Sequence, residues 1–350
     1  EQKDFIKSNK DADAPNIILI IGDGTGLSQL SSLWYYGDEK PNYQRFQYVG
    51  LSKTNSSSHK ITDSGAGATA FSIGEKSYNG SIGVAPDSLA RPNLIEILSE
   101  KSYATGLIST SSITHATPAS FYAHVKSRQM HEEIAKALWV SEVDFFAGGG
   151  LRFFQNRRDK ANGLSMLEEH GFTMNTNSID QKLEGAKIGY LLANDGLPKV
   201  SEREDDYLVK SSKVALEFLS KKESPFFLMI EGSQVDWGGH NNDADYVISE
   251  LKELDKAVGV ALDFAEKDGN TLVIALADHE TGGFALSPTT VKSFGGKDKD
   301  DYNIIDVRFT TGGHTASHIP VFAYGPGAEK YTGIYENTSI YNKILRSVSK

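Results

Sequence analysis

The sequence contains no cysteine. A disulfide framework is therefore excluded, and so are thiolate metal sites and thiol redox chemistry. Any zinc site in this chain must use histidine and carboxylate ligands instead. Because both reducing and oxidising compartments tolerate cysteine-free proteins, this absence alone does not fix the localisation.

Long apolar runs are also absent. The longest candidate, residues 16–21, is far shorter than the roughly 18 apolar residues that a membrane helix requires. We therefore expect no membrane span. The chain starts at Glu1 rather than Met, without an apolar leader-like segment. This start suggests a processed form, and we expect a periplasmic or secreted protein; an artificially shortened chain is the alternative.

Positive charge is in short supply. There are 36 Lys and Arg residues against 46 Asp and Glu residues, which gives a net charge of −10 with His neutral. A surface specific for nucleic acid is therefore not expected, because such surfaces cluster many cations. A small anionic substrate stays possible if local cations or metal ions attract it. The hydrophobic fraction of 39% is that of a globular protein, which excludes a disordered or fibrous chain.

Apolar runs of strand length alternate with helical patterns along the chain. Predicted strands that end in glycine or polar residues cover 16–24, 103–110, 226–232, 271–280 and 319–327. Helical periodicity covers 93–101, 130–140, 207–222, 244–267 and 339–348. This alternation predicts an α/β fold with a doubly wound, mostly parallel central sheet and helices on both faces.

No clean linker divides the chain, so we predict a single domain over residues 1–350. Residues 141–200 are rich in Gly and Asn with weaker periodicity, which suggests an insertion on the core. Residues 293–303 are rich in Gly and charge and predict an exposed loop.

Polar side chains follow several of the predicted strands. Ligands bind beyond the carboxyl ends of the strands in such a sheet, so these side chains are candidate functional residues. Asp23 ends the first strand, where a helix cap or a turn residue is the alternative. Asp236 and His240 stand four residues apart in VDWGGH and can converge on one ion. Asp278 and His279 follow another strand, with a surface turn as the alternative.

Further candidate ligands lie near other strand ends. His115, Thr117 and Glu231 follow predicted strands, and His314 and His318 precede the last one. A structural role is the alternative that we keep for His318. Mixed nitrogen and oxygen ligands suit zinc, whereas an oxygen-only set suits magnesium. The number of ligands predicts more than one ion and hence multi-metal hydrolysis.

Ser64 is the candidate nucleophile. It lies among small residues in ITDSGAGATAFSIG, at or near the start of a predicted helix, where free amide groups favour an anion. Its hydroxyl would need activation, for which metal ions are available. A plain helix N-cap is the alternative. Arg128 can grip two phosphate oxygens with its guanidinium fork, although a solvated surface charge is the alternative.

In order and spacing these motifs resemble those of the alkaline phosphatases, which are metal-dependent phosphomonoesterases. The resemblance covers nearly the whole chain and implies the same doubly wound mixed α/β fold and a homodimer. The matching motifs are Gly-Asp-Gly at 22–24, Thr-Asp-Ser at 62–64, His-Ala-Thr-Pro at 115–118, Ser127-Arg128, Glu231-Gly232, Asp236 with His240, Ala-Asp-His at 277–279 and Gly-His-Thr at 313–315.

The resemblance also implies roles for individual residues. Ser64 matches the nucleophile that forms a phosphoserine, and Arg128 matches the residue that grips the phosphate. The implied ligands are Asp236, His240 and His314 for one Zn²⁺, Asp23, Ser64, Asp278 and His279 for a second Zn²⁺, and Asp23, Thr117 and Glu231 for a Mg²⁺. The expected reaction is hydrolysis of small phosphomonoesters with release of inorganic phosphate.

Two positions depart from the pattern of the enteric bacterial members. His115 stands where those enzymes have Asp, and Trp237 stands where they have Lys; the same pair resembles marine and cold-environment members. We expect His115 to contact a ligand or a metal-bound water beside Thr117. A packed imidazole without influence on the metal is the alternative. We expect the Trp237 ring to form a wall of the phosphate site.

Other functions of the same superfamily remain as alternatives. They are a phosphodiesterase, a phosphomutase and, from a different class, a phosphate-binding protein without turnover. A sulfatase is excluded because Ser64 is followed by Gly-Ala-Gly rather than by the x-Pro-x-Arg context. A phosphodiesterase is disfavoured because Thr117, Glu231 and Arg128 are all present.

Overall fold

A ten-stranded sheet forms the centre of the computed structural model, which describes residues 14–292, 296 and 298–348. Across the sheet the strand order is β14-β2-β13-β8-β1-β7-β3-β4-β6-β5, and only β13 runs antiparallel to its neighbours. The strands of this sheet are β1 (Asn16–Gly22), β2 (Tyr48–Lys53), β3 (Ala104–Ser112), β4 (Phe145–Gly149), β5 (Phe172–Asn175), β6 (Lys187–Leu191), β7 (Phe226–Gly232), β8 (Thr271–Leu276), β13 (Ile319–Tyr324) and β14 (Gly333–Glu336).

Four short or peripheral strands form two small ribbons beside the sheet. They are β9 (Glu280–Thr281) paired with β12 (His314–Thr315), and β10 (Ala285–Lys292) paired with β11 (Asp298–Arg308). The helices are α1 (Leu27–Tyr36), α2 (Ser64–Ile73), α3 (Leu94–Glu100), α4 (Ala116–Ala119), α5 (His131–Trp139), α6 (Arg152–Gln155), α7 (Gly163–Glu169), α8 (Tyr207–Leu219), α9 (Gln234–His240), α10 (Ala244–Asp268) and α11 (Ser339–Ser347).

Helices cover both faces of the sheet. In β1, Ile17 and Leu19 face one apolar core, which includes residues of α2, α3, α5 and α11. Ile18 and Ile20 face the other core, which includes residues of α1, α8 and α10. Because successive side chains of a strand point to opposite faces, a strand buried on both sides reads as one continuous apolar run. This is the sequence signal that β1 carries.

The predicted fold class is confirmed, and each predicted strand and helix corresponds to an observed one. Residues 141–200 contribute β4, β5 and β6, which extend one edge of the same sheet. The single domain over residues 1–350 stays a prediction. The predicted loop at 293–303 is wrong for residues 298–303, which form part of β11, where residues 298–301 pair with β10; residues 293–295 and 297 lie outside the described part.

Two buried carboxylates of α10 hold the segment that leads from β6 to α8. Glu250 accepts a hydrogen bond from the Val200 N–H at 2.7 Å, and Glu253 accepts one from the Leu208 N–H at 2.9 Å. The buried guanidinium of Arg203 pairs with both carboxylates. The loop just before this segment includes Gly196, which lies against the Trp237 ring, so α10 anchors the chain next to that contact.

Replacement of Glu250 tests the electrostatics of this anchor. Burial raises the pKa of Glu250 to about 7 from 4.5. Between these values the folded protein keeps a proton that the unfolded chain has lost, so this group lowers the unfolding free energy as the pH rises from 4.5 to about 7. Glu250→Gln should match the wild type near pH 4.5 and be more stable by about 2 kcal/mol at pH 8.

Urea unfolding of both proteins at the two pH values measures this difference. Glu329→Gln, at an exposed glutamate, is the control and should change little at either pH. A Glu250→Gln protein that is less stable than the wild type at pH 8 would contradict the prediction.

Candidate active site

Three buried carboxylates meet at the carboxyl edge of the sheet. Asp23 follows β1, Glu231 lies near the end of β7, and Asp278 follows β8; all three are fully buried. β7 and β8 are the two neighbours of β1, and adjacent strands lie about 5 Å apart. The predicted convergence of these side chains at one edge is therefore observed.

The hydroxyl of Ser64 points into this carboxylate cluster. Ser64 is the first residue of α2, and the preceding Asp63 is the N-cap, whose side chain accepts the Ala66 N–H at 3.0 Å. Ser64 Oγ lies 3.2 Å from His279 Nε2 and 3.4 Å from Asp23 Oδ1. The alternative of Ser64 as a plain N-cap is wrong, because Asp63 fills that position.

The small residues of α2 allow the helix to approach the turn after β8. A Cβ added at Gly67 would lie 2.9 Å from the Asp278 Cβ, which is closer than carbon atoms pack without movement. Gly67 therefore sets the distance between the helix that carries Ser64 and the turn that carries Asp278.

One potential metal group consists of Asp23, Asp278 and His279, whose ligand atoms lie within 4.8 Å of one another. The Thr281 hydroxyl donates its single proton to Asp236 Oδ1 at 2.5 Å, so its oxygen must accept from His279 Nδ1, which is 3.2 Å away. His279 Nε2 then presents a lone pair toward Asp278 Oδ2 at 3.2 Å. A lone pair that faces a carboxylate oxygen needs a cation between them.

A second potential metal group consists of Asp236, His279 and His314, whose ligand atoms lie within 4.8 Å of one another, and the expected ligand His240 lies beside this group. A turn of α9 brings Asp236 and His240 together, with His240 Nε2 3.4 Å from Asp236 Oδ2. In both His240 and His314 the Nδ1 atom contacts a backbone carbonyl. The carbonyl is that of Gly312, at 2.7 Å, for His240 and that of Thr62, at 2.9 Å, for His314. Because a carbonyl only accepts, both Nδ1 atoms carry the proton. The two Nε2 atoms, 3.1 Å apart, then face each other as acceptors, an arrangement that fits a shared cation.

A third group combines Asp23, Glu231 and His115, whose ligand atoms also lie within 4.8 Å of one another. Glu231 Oε2 accepts from Ser109 Oγ at 2.6 Å, whereas its Oε1 is buried with no hydrogen-bond partner among the described residues. The Thr117 hydroxyl, on a helix that packs against β7, is equally buried and unpartnered within the described part. These unpartnered oxygens suit Mg²⁺, a hard cation that prefers oxygen ligands.

The electrostatics of the three groups also favour bound cations. Burial, followed by the charges of Asp278, Asp236 and Glu231, raises the pKa of Asp23 well above its ordinary value. Burial also raises the pKa of Glu231 to about 7. At Asp236, burial is outweighed by the hydrogen bond that His314 donates when its imidazole is protonated and by the charges of neighbouring imidazoles, so its pKa is lowered. Ionised carboxylates packed this closely need bound cations to offset their repulsion.

Arg128 lies at the rim of the site. Its guanidinium donates to Asp63 Oδ2 at 3.0 Å and to His115 Nε2 at 3.3 Å. Burial, together with the charge of Arg128, lowers the pKa of His115 to about 3, so the imidazole is neutral and accepts this bond. The Trp237 ring meets the His115 ring edge-on at 6.1 Å and packs against Gly196. The contact between His115 and Arg128 was not expected from the sequence.

Three further residues of the site were missed by sequence reasoning. Asp63 holds Arg128, Thr281 links two candidate ligands, and Ser109 orients Glu231. The Thr-Asp-Ser motif contained Asp63, so its place beside the nucleophile was an available signal. His318, by contrast, is exposed and belongs to none of the three groups found among the described residues.

Comparisons with known proteins give matches over most of the chain. The family model described as "Alkaline phosphatase" matches residues 14–304. Alkaline phosphatase 3 of Bacillus subtilis (strain 168) is 33% identical over 420 aligned residues, which span 98% of this chain and 90% of that protein. The alkaline phosphatase from the Antarctic bacterium TAB5 is 50% identical, with a TM-score of 0.93 over 96% of this chain and 98% of its own. A His-to-Asp mutant of the TAB5 enzyme, with Mg bound in its M3 site, has a TM-score of 0.94 at 50% identity and the same coverage.

The close approach of α2 to the turn after β8 can be tested with Gly67→Ala. The added methyl group must displace Asp278, so the affinity for zinc should fall by about tenfold, in the range seen when residues that orient ligands are changed. The metal-free protein should also be less stable than the wild type by about 1 to 2 kcal/mol, because the buried clash with Asp278 outweighs the roughly 1 kcal/mol by which Ala favours a helix over Gly. Zinc titration and thermal unfolding measure the two effects, and unchanged zinc affinity would show that the helix adjusts instead of Asp278.

Proposed function

This chain belongs to the alkaline phosphatase family, and from that premise we propose that it hydrolyses phosphomonoesters through a phosphoserine on Ser64. The observation that carries the proposal is the position of the Ser64 hydroxyl, at the start of α2 and within 3.4 Å of Asp23 and His279. The Ser64 hydroxyl, the start of α2, which favours an anion, and the guanidinium of Arg128 are therefore close together.

The donor sets fit the metal ions that the family implies. Unpartnered buried oxygens and facing imidazole lone pairs are sites that a cation completes. The residues that would hold the ions are Asp236, His240 and His314 for one Zn²⁺, Asp23, Asp278, His279 and Ser64 for a second Zn²⁺, and Asp23, Thr117 and Glu231 for Mg²⁺. When bound, such ions lower the pKa of a hydroxyl or water and stabilise the charge on attacking and leaving oxygens.

The chain's own residues position the phosphate for in-line attack. Ser64 Oγ forms the new bond to phosphorus as the bond to the leaving oxygen breaks on the opposite side. Arg128, held by Asp63 and His115, is placed to grip the non-bridging oxygens. Water then attacks the phosphoserine from the side that the leaving group vacated, which frees Ser64 and phosphate. Two inversions give retention of configuration at phosphorus.

The wider setting rests on the family resemblance. The homodimer and the periplasmic or secreted location stay predictions. Within the described residues, no helix is both long enough and apolar enough to cross a bilayer.

Ser64→Ala should lose activity by about a thousandfold or more, because the covalent route is removed. p-Nitrophenyl phosphate hydrolysis measures this loss, and radioactive phosphate trapped in acid should label Ser64 in the wild type. Ser72→Ala, in the same helix, is the matched control and should keep its activity; Ser72 Oγ donates only to the Thr69 carbonyl. Acid-stable label on any other residue would refute the assignment.

Elemental analysis should find two Zn²⁺ and one Mg²⁺ per chain in protein purified without chelator. Chelation should abolish activity, and zinc with magnesium should restore it, because the buried carboxylates then regain their counter-charges. Glu231→Gln should remove the Mg²⁺ and keep both Zn²⁺ ions. Fully active protein with a single bound metal ion would contradict this prediction.

A further inference from the structure

A cleft of about 510 Å³ lies at the same edge of the sheet as the candidate active site. Residues 53–60 form one wall, and Ala316 and His318 form the other. The walls extend from the end of β2 and the start of β13, which pair with each other. β13 also pairs with β8, so the cleft lies only one or two strand spacings, about 5 to 10 Å, from the turn after β8.

Both walls of this cleft continue directly into the active site. The first wall leads to Thr62, whose carbonyl contacts His314 Nδ1 at 2.9 Å, and then to Ser64. The second wall begins two residues after His314 and reaches His318. The cleft therefore borders His314, which belongs with Asp236 and His279 to the second potential metal group.

The geometry of attack places the leaving group on that side. The attacking and leaving oxygens of a phosphoryl transfer lie roughly in line. Among the described hydrogen bonds Ser64 Oγ contacts His279 and not His314, and the His279 and His314 rings stack with centroids 3.5 Å apart. His240, next to His314, has a side chain that is 41% exposed, whereas His279 is fully buried. The site thus opens to solvent on the leaving side, beside the cleft.

The cleft has an excess of positive charge. Within residues 14–292, 296 and 298–348, no carboxylate pairs with the exposed Lys60. Lys53 lines the cleft and Lys76 binds the Asn55 side chain in its wall, yet both share the single carboxylate of Glu336, at 2.9 and 3.0 Å. Although the chain has a net charge of −10, the lysines at this cleft attract anions locally.

We propose that this cleft binds the leaving group of the substrate and favours monoesters whose leaving group is itself anionic, through a carboxylate or a further phosphate. The inference rests on the proposed phosphomonoesterase function and adds a substrate class to it. Lys60 supplies the unpaired charge, and the His318 imidazole and the hydroxyl groups of residues 56–58 supply hydrogen-bonding groups. No bond is made or broken in the cleft, so it acts on recognition alone.

Two pairs of substrates test the preference on the metal-loaded enzyme. Phenyl phosphate and 4-carboxyphenyl phosphate differ by a carboxylate on the leaving group, and adenosine 5′-monophosphate and adenosine 3′,5′-bisphosphate, which are both monoesters, differ by a phosphate on it. Lys60→Glu should lower kcat/KM for the anionic member of a pair by about two- to tenfold relative to the neutral member, as expected for reversal of one exposed charge. The effect should shrink with added salt, because exposed charges are screened.

Lys213→Glu is the matched control, since Lys213 is an exposed lysine of α8 outside the cleft. It makes the same change in net charge and should leave both ratios unaltered. A fall in only one pair would identify which anion the cleft selects. His318→Leu should reduce the anionic preference less than Lys60→Glu does.

Binding provides a readout that does not depend on turnover. In a Ser64→Ala background, calorimetry should show weaker binding of 4-carboxyphenyl phosphate after Lys60→Glu and unchanged binding of phenyl phosphate. Equal effects on the neutral and anionic ligands, or no effect on either, would overturn the leaving-group role while phenyl phosphate turnover in the wild type still upheld the proposed function. Loss of that turnover in the metal-loaded wild type would overturn both.

Discussion

The buried carboxylates at the carboxyl edge of the sheet are the constraint on which the rest of the site depends. Asp23, Glu231 and Asp278 end adjacent strands, so the sheet itself holds their charges within a few ångströms of one another. Their repulsion, and the cost of burial, oppose ionisation unless cations bind. The same crowding that destabilises the metal-free site is what makes it selective for doubly charged ions. Metal binding and local stability are therefore coupled in this protein.

Small residues make this crowding sterically possible. Gly67 lets the helix of Ser64 press against the Asp278 turn, and Gly238 and Gly239 let α9 press against Val247 and Thr281. A methyl group at either α9 position would lie within about 3 Å of a neighbour, so these glycines are required by close approach rather than by unusual dihedral angles. The VDWGGH segment thus forms a helix whose successive turns carry the two ligands on one face.

The sequence predicted the central strands well, because long apolar runs that end in polar residues have few other interpretations. It predicted β4–β6 poorly, since these strands have only four or five residues and lie toward one edge of the sheet. Asp63, Thr281 and Ser109 could not be assigned roles, because their partners lie 65, 45 and 122 residues away and only the folded chain brings them together. Long-range pairs of this kind leave no local periodicity.

The site is asymmetric along the line of the reaction, and this asymmetry separates chemistry from recognition. On the side of Ser64 every ligand is buried, so the nucleophile meets only groups that the fold has fixed. On the side of His240 and His314 the site opens toward solvent, where different leaving groups can be accommodated. An acidic protein that acts on anions must confine its positive potential to such a place, because its average field repels them. In the proposed function, Arg128 and the metal ions attract the phosphate that all substrates share, whereas Lys60 in the neighbouring cleft acts only on the leaving group, which differs between substrates.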